Sequence, residues 1–294
     1  MKNKSYVLIA NFHSRQAKDA VDEIKTIFRS KKAELKILEV NDTSKMNEYF
    51  QKAIDDKPDV IVLGGGDGTL ISGIEFLTNK KYNKPIGLLP LGTANYLARN
   101  LSIPLTVKES VETLLKGRTK SMPVGVANDK FFALSLLIGL TQAAAENVSD
   151  KHKHKWGQLA YIFEIVRQTK NHDPFDYSIV SPELKKPVKG TTHQIMVYNS
   201  DLNQQVKIVP DHTLKKHTLK VVINRCGKSM FKFYCSFIVH AITFGKLRPY
   251  MRVFEVKSLE IETTPSLRAD YDGEPYGKSP FHIALLDHDI KVIC

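Results

Sequence analysis

Glycine, aspartate and threonine stand together at Gly64-Gly65-Gly66-Asp67-Gly68-Thr69, directly after the apolar run Val60–Leu63. Glycines at the carboxyl end of a strand let backbone N–H groups turn towards a phosphate with no Cβ in the way. A helix that starts there adds its positive N-terminal end. A carboxylate inside such a cradle repels phosphate unless it works through a cation, so Asp67 is expected to hold Mg2+, directly or through water, against phosphate oxygens. The plainer alternative is a glycine-rich turn that Asp67 caps. The loop is not a dinucleotide fingerprint, because Thr69 stands where G-x-G-x-x-G needs its last glycine. It is not a P-loop either, and the Gly-Lys-Ser triplets at 227–229 and 277–279 lack the upstream glycine, Val222 and Asp272 standing in its place.

Pro90-Leu91-Gly92-Thr93-Ala94-Asn95 repeats the logic after a second apolar run, Pro85–Leu89. Two such loops can flank one nucleotide, with Thr69, Thr93 and Asn95 offering hydroxyl and amide contacts. Taken alone, the second loop is equally well explained by helix capping through Thr93 or Asn95. Far downstream, Asp270-Tyr271-Asp272-Gly273-Glu274 offers carboxylates that could take a proton from an attacking hydroxyl. Asp-Gly between two strands is also ordinary hairpin chemistry.

These residues need elements to carry them. Short apolar runs at Tyr6–Ala10, Leu35–Val40, Pro58–Leu63 and Pro85–Leu89 read as strands. Apolar spacing predicts helices over 17–28, 44–54, 70–77 and 96–100, and strand–helix alternation means a mostly parallel sheet. Beyond residue 123 the pattern changes to β-rich stretches at 130–140, 176–181, 193–199, 219–224, 253–263 and 281–286, with one helix expected at Trp156–Thr169. The fold class is therefore an α/β N-terminal domain at 1–123, followed by a β-rich, mainly antiparallel domain at 124–294. The boundary falls near 121–127, where Pro123 and Gly125 break the pattern.

Composition bounds the partners. The 294 residues carry 43 Lys+Arg against 31 Asp+Glu, a net charge of +12, which points to nucleotide phosphates, anionic headgroups or nucleic acid. Nucleic acid is disfavoured, because the basic runs lack interleaved aromatic residues for stacking. Lys151–Lys155, and Lys185, Lys186 and Lys189, are either solvated loops or contacts to an anionic membrane. His152 and His154 have no neighbours at metal-ligand spacing. No stretch is long and apolar enough to span a bilayer, and no signal-peptide pattern follows Met1. Cys226, Cys235 and Cys294 are too scattered for a disulfide framework. A soluble, cytoplasmic protein is the expectation.

Together the three segments resemble the diacylglycerol kinase-like lipid kinases, a family that extends to sphingosine and ceramide kinases. Its Gly-Gly-Asp-Gly-Thr is matched by Gly65–Thr69, its Pro-x-Gly-Thr-x-Asn by Pro90–Asn95, and its late Asp-Gly-Glu by Asp272–Glu274. NAD kinases and phosphofructokinases carry related glycine motifs, but the second and third segments argue against them. The resemblance implies a nucleotide-binding domain, a sandwich-like lipid-binding domain, ATP in the cleft between them, and a last strand that returns to the first domain. It assigns nucleotide contacts to Asn11, Gly64, Gly65, Gly66, Asp67, Gly68, Thr69, Gly92, Thr93 and Asn95. Asp67 would meet Mg2+, and Asp272 or Glu274 would accept the proton of the lipid hydroxyl during in-line transfer of the γ-phosphoryl group. The apolar stretches Leu134–Leu140 and Phe233–Phe244 would wall the lipid pocket. Peripheral membrane association and a homodimer are the corresponding default expectations.

The chain departs from the family at four places. Asn11-Phe12-His13-Ser14-Arg15 keeps only the asparagine of Asn-Pro-x-x-Gly. Tyr96 replaces an aspartate, Pro123-Val124-Gly125 replaces Asp-x-Gly, and Lys215-Lys216-His217 replaces Asp-Asp-Gly. The lysines would repel the structural metal that bacterial members can hold there, so that site is expected to be absent. The lost carboxylates thin the support for Mg2+ near Asp67. They favour, as the alternative to an active kinase, a weak or inactive relative that binds lipid or nucleotide.

Overall fold

The computed structural model describes residues 4–11, 15–140, 173–199, 217–242 and 250–294. The chain forms two compact units, one of Met1–Pro123 with Asp287–Cys294 and the other of Val124–Leu286.

The first unit is a six-stranded sheet with helices. Its strands are β1 (Ser5–Asn11), β2 (Glu34–Val40), β3 (Val60–Gly65), β4 (Ile86–Pro90), β5 (Thr119–Met122) and the last strand of the chain, β18 (Ile290–Ile293). Their order is β2-β1-β3-β4-β18-β5. All neighbours run parallel except β5, which is antiparallel to β18. β3 and β4 are buried at every residue, as expected of uninterrupted apolar strands in a sheet covered on both faces. The helices are α1 (Arg15–Ser30), α2 (Met46–Asp55), α3 (Asp67–Asn79), α4 (Tyr96–Asn100) and α5 (Val107–Lys116). Caps bound α5: Thr106 Oγ1 accepts from Glu109 N, and Gly117 ends it in the left-handed region. Tyr6, Leu8, Ile24, Phe28, Val62 and Leu114 meet in the core between this sheet and its helices.

The second unit holds two six-stranded antiparallel sheets. One contains β6 (Gly125–Ala127), β7 (Lys130–Phe132), β9 (Phe175–Val180), β10 (Val188–Thr192), β14 (Ser258–Thr264) and β17 (Phe281–Leu285), in the order β10-β9-β14-β17-β6-β7. The other contains β8 (Ser135–Gly139), β11 (Gln194–Asn199), β12 (Leu219–Asn224), β13 (Met251–Val256), β15 (Ala269–Tyr271) and β16 (Glu274–Tyr276), in the order β13-β12-β11-β8-β15-β16. Alternate residues of both sheets, among them Phe132, Ile138, Ile179, Val197, Val221, Ile261 and Phe281, pack into one core. The stretch 130–140 divides into β7 and β8 at Ala133–Leu134, and 253–263 divides at Lys257. A helix, α6 (Met230–Ile242), forms where the sequence shows only an apolar stretch. The helix expected at 156–169 lies outside the described residues. Among the described residues no helix is long and apolar enough to cross a membrane.

Candidate functional site

Parallel strands bring the first-unit candidates to one edge. Ala10 pairs with Gly64 and Gly65 pairs with Pro90, so Asn11 and both glycine loops leave the carboxyl ends of neighbouring strands. Crevices at such ends are where open α/β sheets bind ligands. Leu91 N donates to Gly65 O at 2.9 Å, tying the second loop to the first.

α3 starts inside the first loop. Gly66 sits at its N-cap and has no side chain to cap it. The N–H groups of Asp67, Gly68 and Thr69 therefore have no acceptor within the helix. Gly68 is exposed, with no heavy atom within 4 Å of where a Cβ would sit. At Gly92 the reverse holds: a Cβ there would lie 2.5 Å from the Gly66 Cα. The two loops touch backbone to backbone, which only glycine allows.

Asn95 is buried in the left-handed region, at φ +51°. Its Oδ1 accepts from Gly92 N at 3.0 Å and its Nδ2 donates to Gly92 O at 2.8 Å, closing the second loop into a ring. Committed in this way, Asn95 does not cap α4 with its side chain. Asp67 does so from 29 residues away: its Oδ2 accepts from Tyr96 N at 3.0 Å and its Oδ1 from Leu97 N at 2.9 Å. A carboxylate suits a helix N-terminus electrostatically. Asp67 thus caps a helix, but the one that follows the other loop. Gly92, Thr93 and Ala94 stay exposed, and Tyr96 is 60% exposed beside them.

This arrangement fits one kind of metal and not another. Among the described residues no three His, Cys, Asp or Glu side chains converge, so no protein-built cage is present there. Each Asp67 oxygen holds one backbone N–H and keeps a second lone-pair position. That suits Mg2+ bound chiefly through nucleotide phosphates and water, with a single carboxylate contact from the protein.

In the second unit, Asp272 and Gly273 form the two-residue turn between β15 and β16, with φ +53° and +103°. Both residues at positive φ mark a primed hairpin turn, the geometry Asp-Gly favours. Asp270 Oδ1 accepts from Gly273 N at 2.6 Å and holds the turn. The Asp272 carboxylate faces inward: Oδ1 accepts from Leu134 N at 2.9 Å and Ser135 N at 2.7 Å, and Oδ2 from Ala133 N at 2.6 Å. It therefore organises the break between β7 and β8. Asn199 supports the same corner, its Nδ2 donating to Ala133 O at 3.2 Å.

The Asp272 residue is half-buried, but its carboxylate is turned away from solvent. Burial pushes its pKa up to about 6, the Asp270 charge adding to the rise and the three backbone N–H groups opposing it. Oδ2 accepts a single N–H, so it has room for a second donor. Glu274 is different: its side chain is 73% exposed, and its carboxylate lies 4.0 Å from Lys130 Nζ. Asp272 has the enclosed, hydrogen-bonded environment of a tuned group. Lys185, Lys186 and Lys189 are exposed around the β9–β10 turn. The run 151–155 and the Lys215–Lys216 pair lie outside the described residues.

Sequence reasoning did not single out Asn199 or the 133–135 backbone, because no local motif marks a residue that braces a distant turn.

Residues 5–129 match the family model described as the diacylglycerol kinase catalytic domain. A Staphylococcus epidermidis protein named diacylglycerol kinase is 25% identical over 255 residues, which is 82% of this chain and 76% of that protein. A Staphylococcus aureus protein of the same name is 26% identical over 255 residues, with the same coverage. A crystal structure of a diacylglycerol kinase from Bacillus anthracis str. Sterne superposes with a TM-score of 0.75 at 20% identity, covering 100% of this chain and 97% of that chain.

Proposed function

We propose that the chain, whose residues 5–129 match the diacylglycerol kinase catalytic domain family, is an ATP-dependent lipid kinase. It transfers the γ-phosphoryl group to the hydroxyl of a diacylglycerol-like or sphingoid lipid at a membrane surface. The observation that carries the proposal is the interlocked pair of loops, with the N–H groups of residues 67–69 left without helical acceptors at the start of α3 and Gly92 held against Gly66.

The chemistry follows from those parts. Backbone N–H groups of Asp67, Gly68 and Thr69 bind the phosphates, with the Thr93 hydroxyl and Asn11 at the same edge. Asp67 fixes the second loop through Tyr96 and Leu97 and offers one oxygen to a cation. Mg2+, arriving with the nucleotide, supplies neutralisation of the phosphate charge. Asp272 takes the proton of the attacking lipid hydroxyl. A pKa near 6 leaves it ionised at neutral pH, yet basic enough to accept that proton. Glu274, exposed two residues on and 4.0 Å from Lys130, is the other candidate for that proton.

A second reading, a weakly active or inactive relative that binds nucleotide, is favoured by one observation. Tyr96 stands where the family carries a carboxylate, so Asp67 has no acidic neighbour there. The test is transfer of labelled phosphate from ATP with Mg2+ to a panel of lipid micelles, beside Asp67→Ala and Asp272→Ala. Labelled lipid that Asp272→Ala abolishes supports the kinase. ATP binding without transfer to any lipid supports the second reading.

A further inference from the structure

α6 presents two phenylalanines two positions apart, and they face opposite ways. Residues two apart on a helix are separated by about 200°. Phe233 is 1% exposed and packs on the His193 ring at 5.6 Å, with Leu140 and Cys226 beside it. Anchoring the helix by Phe233 turns Phe231 outward, where it is 76% exposed. Phe231 contributes nothing to the core. Tyr250 is also exposed and lies nearby, with Lys232 Nζ 5.9 Å from its ring centroid. Arg225, hydrogen-bonded through its backbone to Tyr250, is exposed, as are Lys228 and Lys232. None of these three cations makes an ion pair among the described residues.

We propose that this corner, the start of α6 with Arg225 and Tyr250, is the face by which the protein docks on an anionic phospholipid bilayer. A single exposed aromatic residue is ordinary. Here an exposed phenyl ring stands next to Lys232 and three residues after Lys228, with the phenol of Tyr250 beside Lys232 and Arg225 joined to Tyr250 by a backbone bond, which is the chemistry of the headgroup boundary. The rings enter the acyl margin while the cations meet lipid phosphates. The start of the helix is tied to the preceding turn, Ser229 N donating to Cys226 O at 3.0 Å and Phe233 N to Ser229 O at 3.1 Å. The proposal rests on the lipid kinase reading for its purpose, but not for its measurement.

The experiment is co-sedimentation of the full chain with vesicles of phosphatidylcholine, with and without phosphatidylglycerol, at low and high salt. The wild type is expected to bind the phosphatidylglycerol vesicles and to be released by salt. The double variant Lys228→Gln, Lys232→Gln should lose about 25-fold in partitioning, from about fivefold per lysine. Phe231→Ser should lose about tenfold. Both variants should retain wild-type transfer to a dispersed short-chain diacylglycerol. Vesicle binding unchanged in both variants overturns the proposal, as does equal binding of the wild type to uncharged vesicles. A wild-type dimer that Phe231→Ser turns into a monomer would mark the face as a contact between copies, and overturns it too. Patch-dependent vesicle binding without phosphoryl transfer would sink the kinase reading alone. Transfer in micelles with patch-independent vesicle binding would sink this inference alone.

Discussion

Asp67 engages the amides of Tyr96 and Leu97, so its replacement acts first on the second loop. Asp67→Asn keeps one acceptor but turns an amide N–H towards a backbone N–H. A loss of about 1–2 kcal/mol in urea unfolding is expected, with a KM for ATP raised more than kcat is lowered. A kcat collapse at unchanged KM would instead place Asp67 at the reacting atoms. For Asp272 the pKa sets the sign. Only the ionised carboxylate can take a proton, so kcat/KM should fall as pH drops through about 6. Asp272→Asn should abolish that limb along with the activity. The same raised value means the folded chain keeps a proton there that the unfolded chain has released. The group therefore favours folding below the ordinary Asp pKa, and that contribution is lost as pH rises through about 6. Both aspartates were legible as motif residues. Their surroundings were not, because the amides that hold them lie 29 and 30 residues away for Asp67, and 137 to 139 away for Asp272.

At the scale of elements, the two loops behave as one object. Gly92→Ala puts a methyl group 2.5 Å from the Gly66 Cα, a backbone atom that cannot swing aside, and 3.0 Å from Asn95 Oδ1, which is held in the ring that closes the second loop. The loops must part, and ATP binding measured by calorimetry should be lost while the far-UV dichroism stays. For α6, Phe233→Ala removes the buried anchor and should cost about 3–5 kcal/mol of unfolding free energy. Four strands of the first unit, β1 to β4, were legible as short apolar runs, and Val60–Leu63 is uninterrupted because a parallel strand covered on both faces is apolar throughout; β5, Thr-Lys-Ser-Met and mostly exposed, shows no such run. α6 was not, since Met230–Ile242 carries a single lysine and is apolar almost all round, leaving no period to read. α5 carries both signals, apolar Val107, Val111 and Leu114 at helical spacing and caps at Thr106 and Gly117, so it was legible in principle although it is missing from the helices expected above.

At the scale of the whole molecule, the chain leaves the first unit at Pro123 and re-enters it at Asp287. Removing Asp287–Cys294 deletes β18, which pairs with β4 on one side and β5 on the other. The first unit should then lose its cooperative transition and become protease-sensitive, while fragments within Val124–Leu286 persist. A truncated chain with an unchanged melting profile would show that β18 is dispensable. The α/β and antiparallel halves were both legible, from the change in hydrophobic pattern past residue 123. The strand order was not, because nothing local tells Ile290–Ile293 which strands it joins. That inserted position has a consequence for how the molecule is made. A ribosome finishes β4 and β5 and then synthesises all of Val124–Leu286 before it reaches β18. For on the order of ten seconds at translation rates of about 5–20 residues per second, the nascent sheet holds an open seam between β4 and β5. Throughout that interval the unfilled seam is a natural place for a chaperone to hold the growing chain.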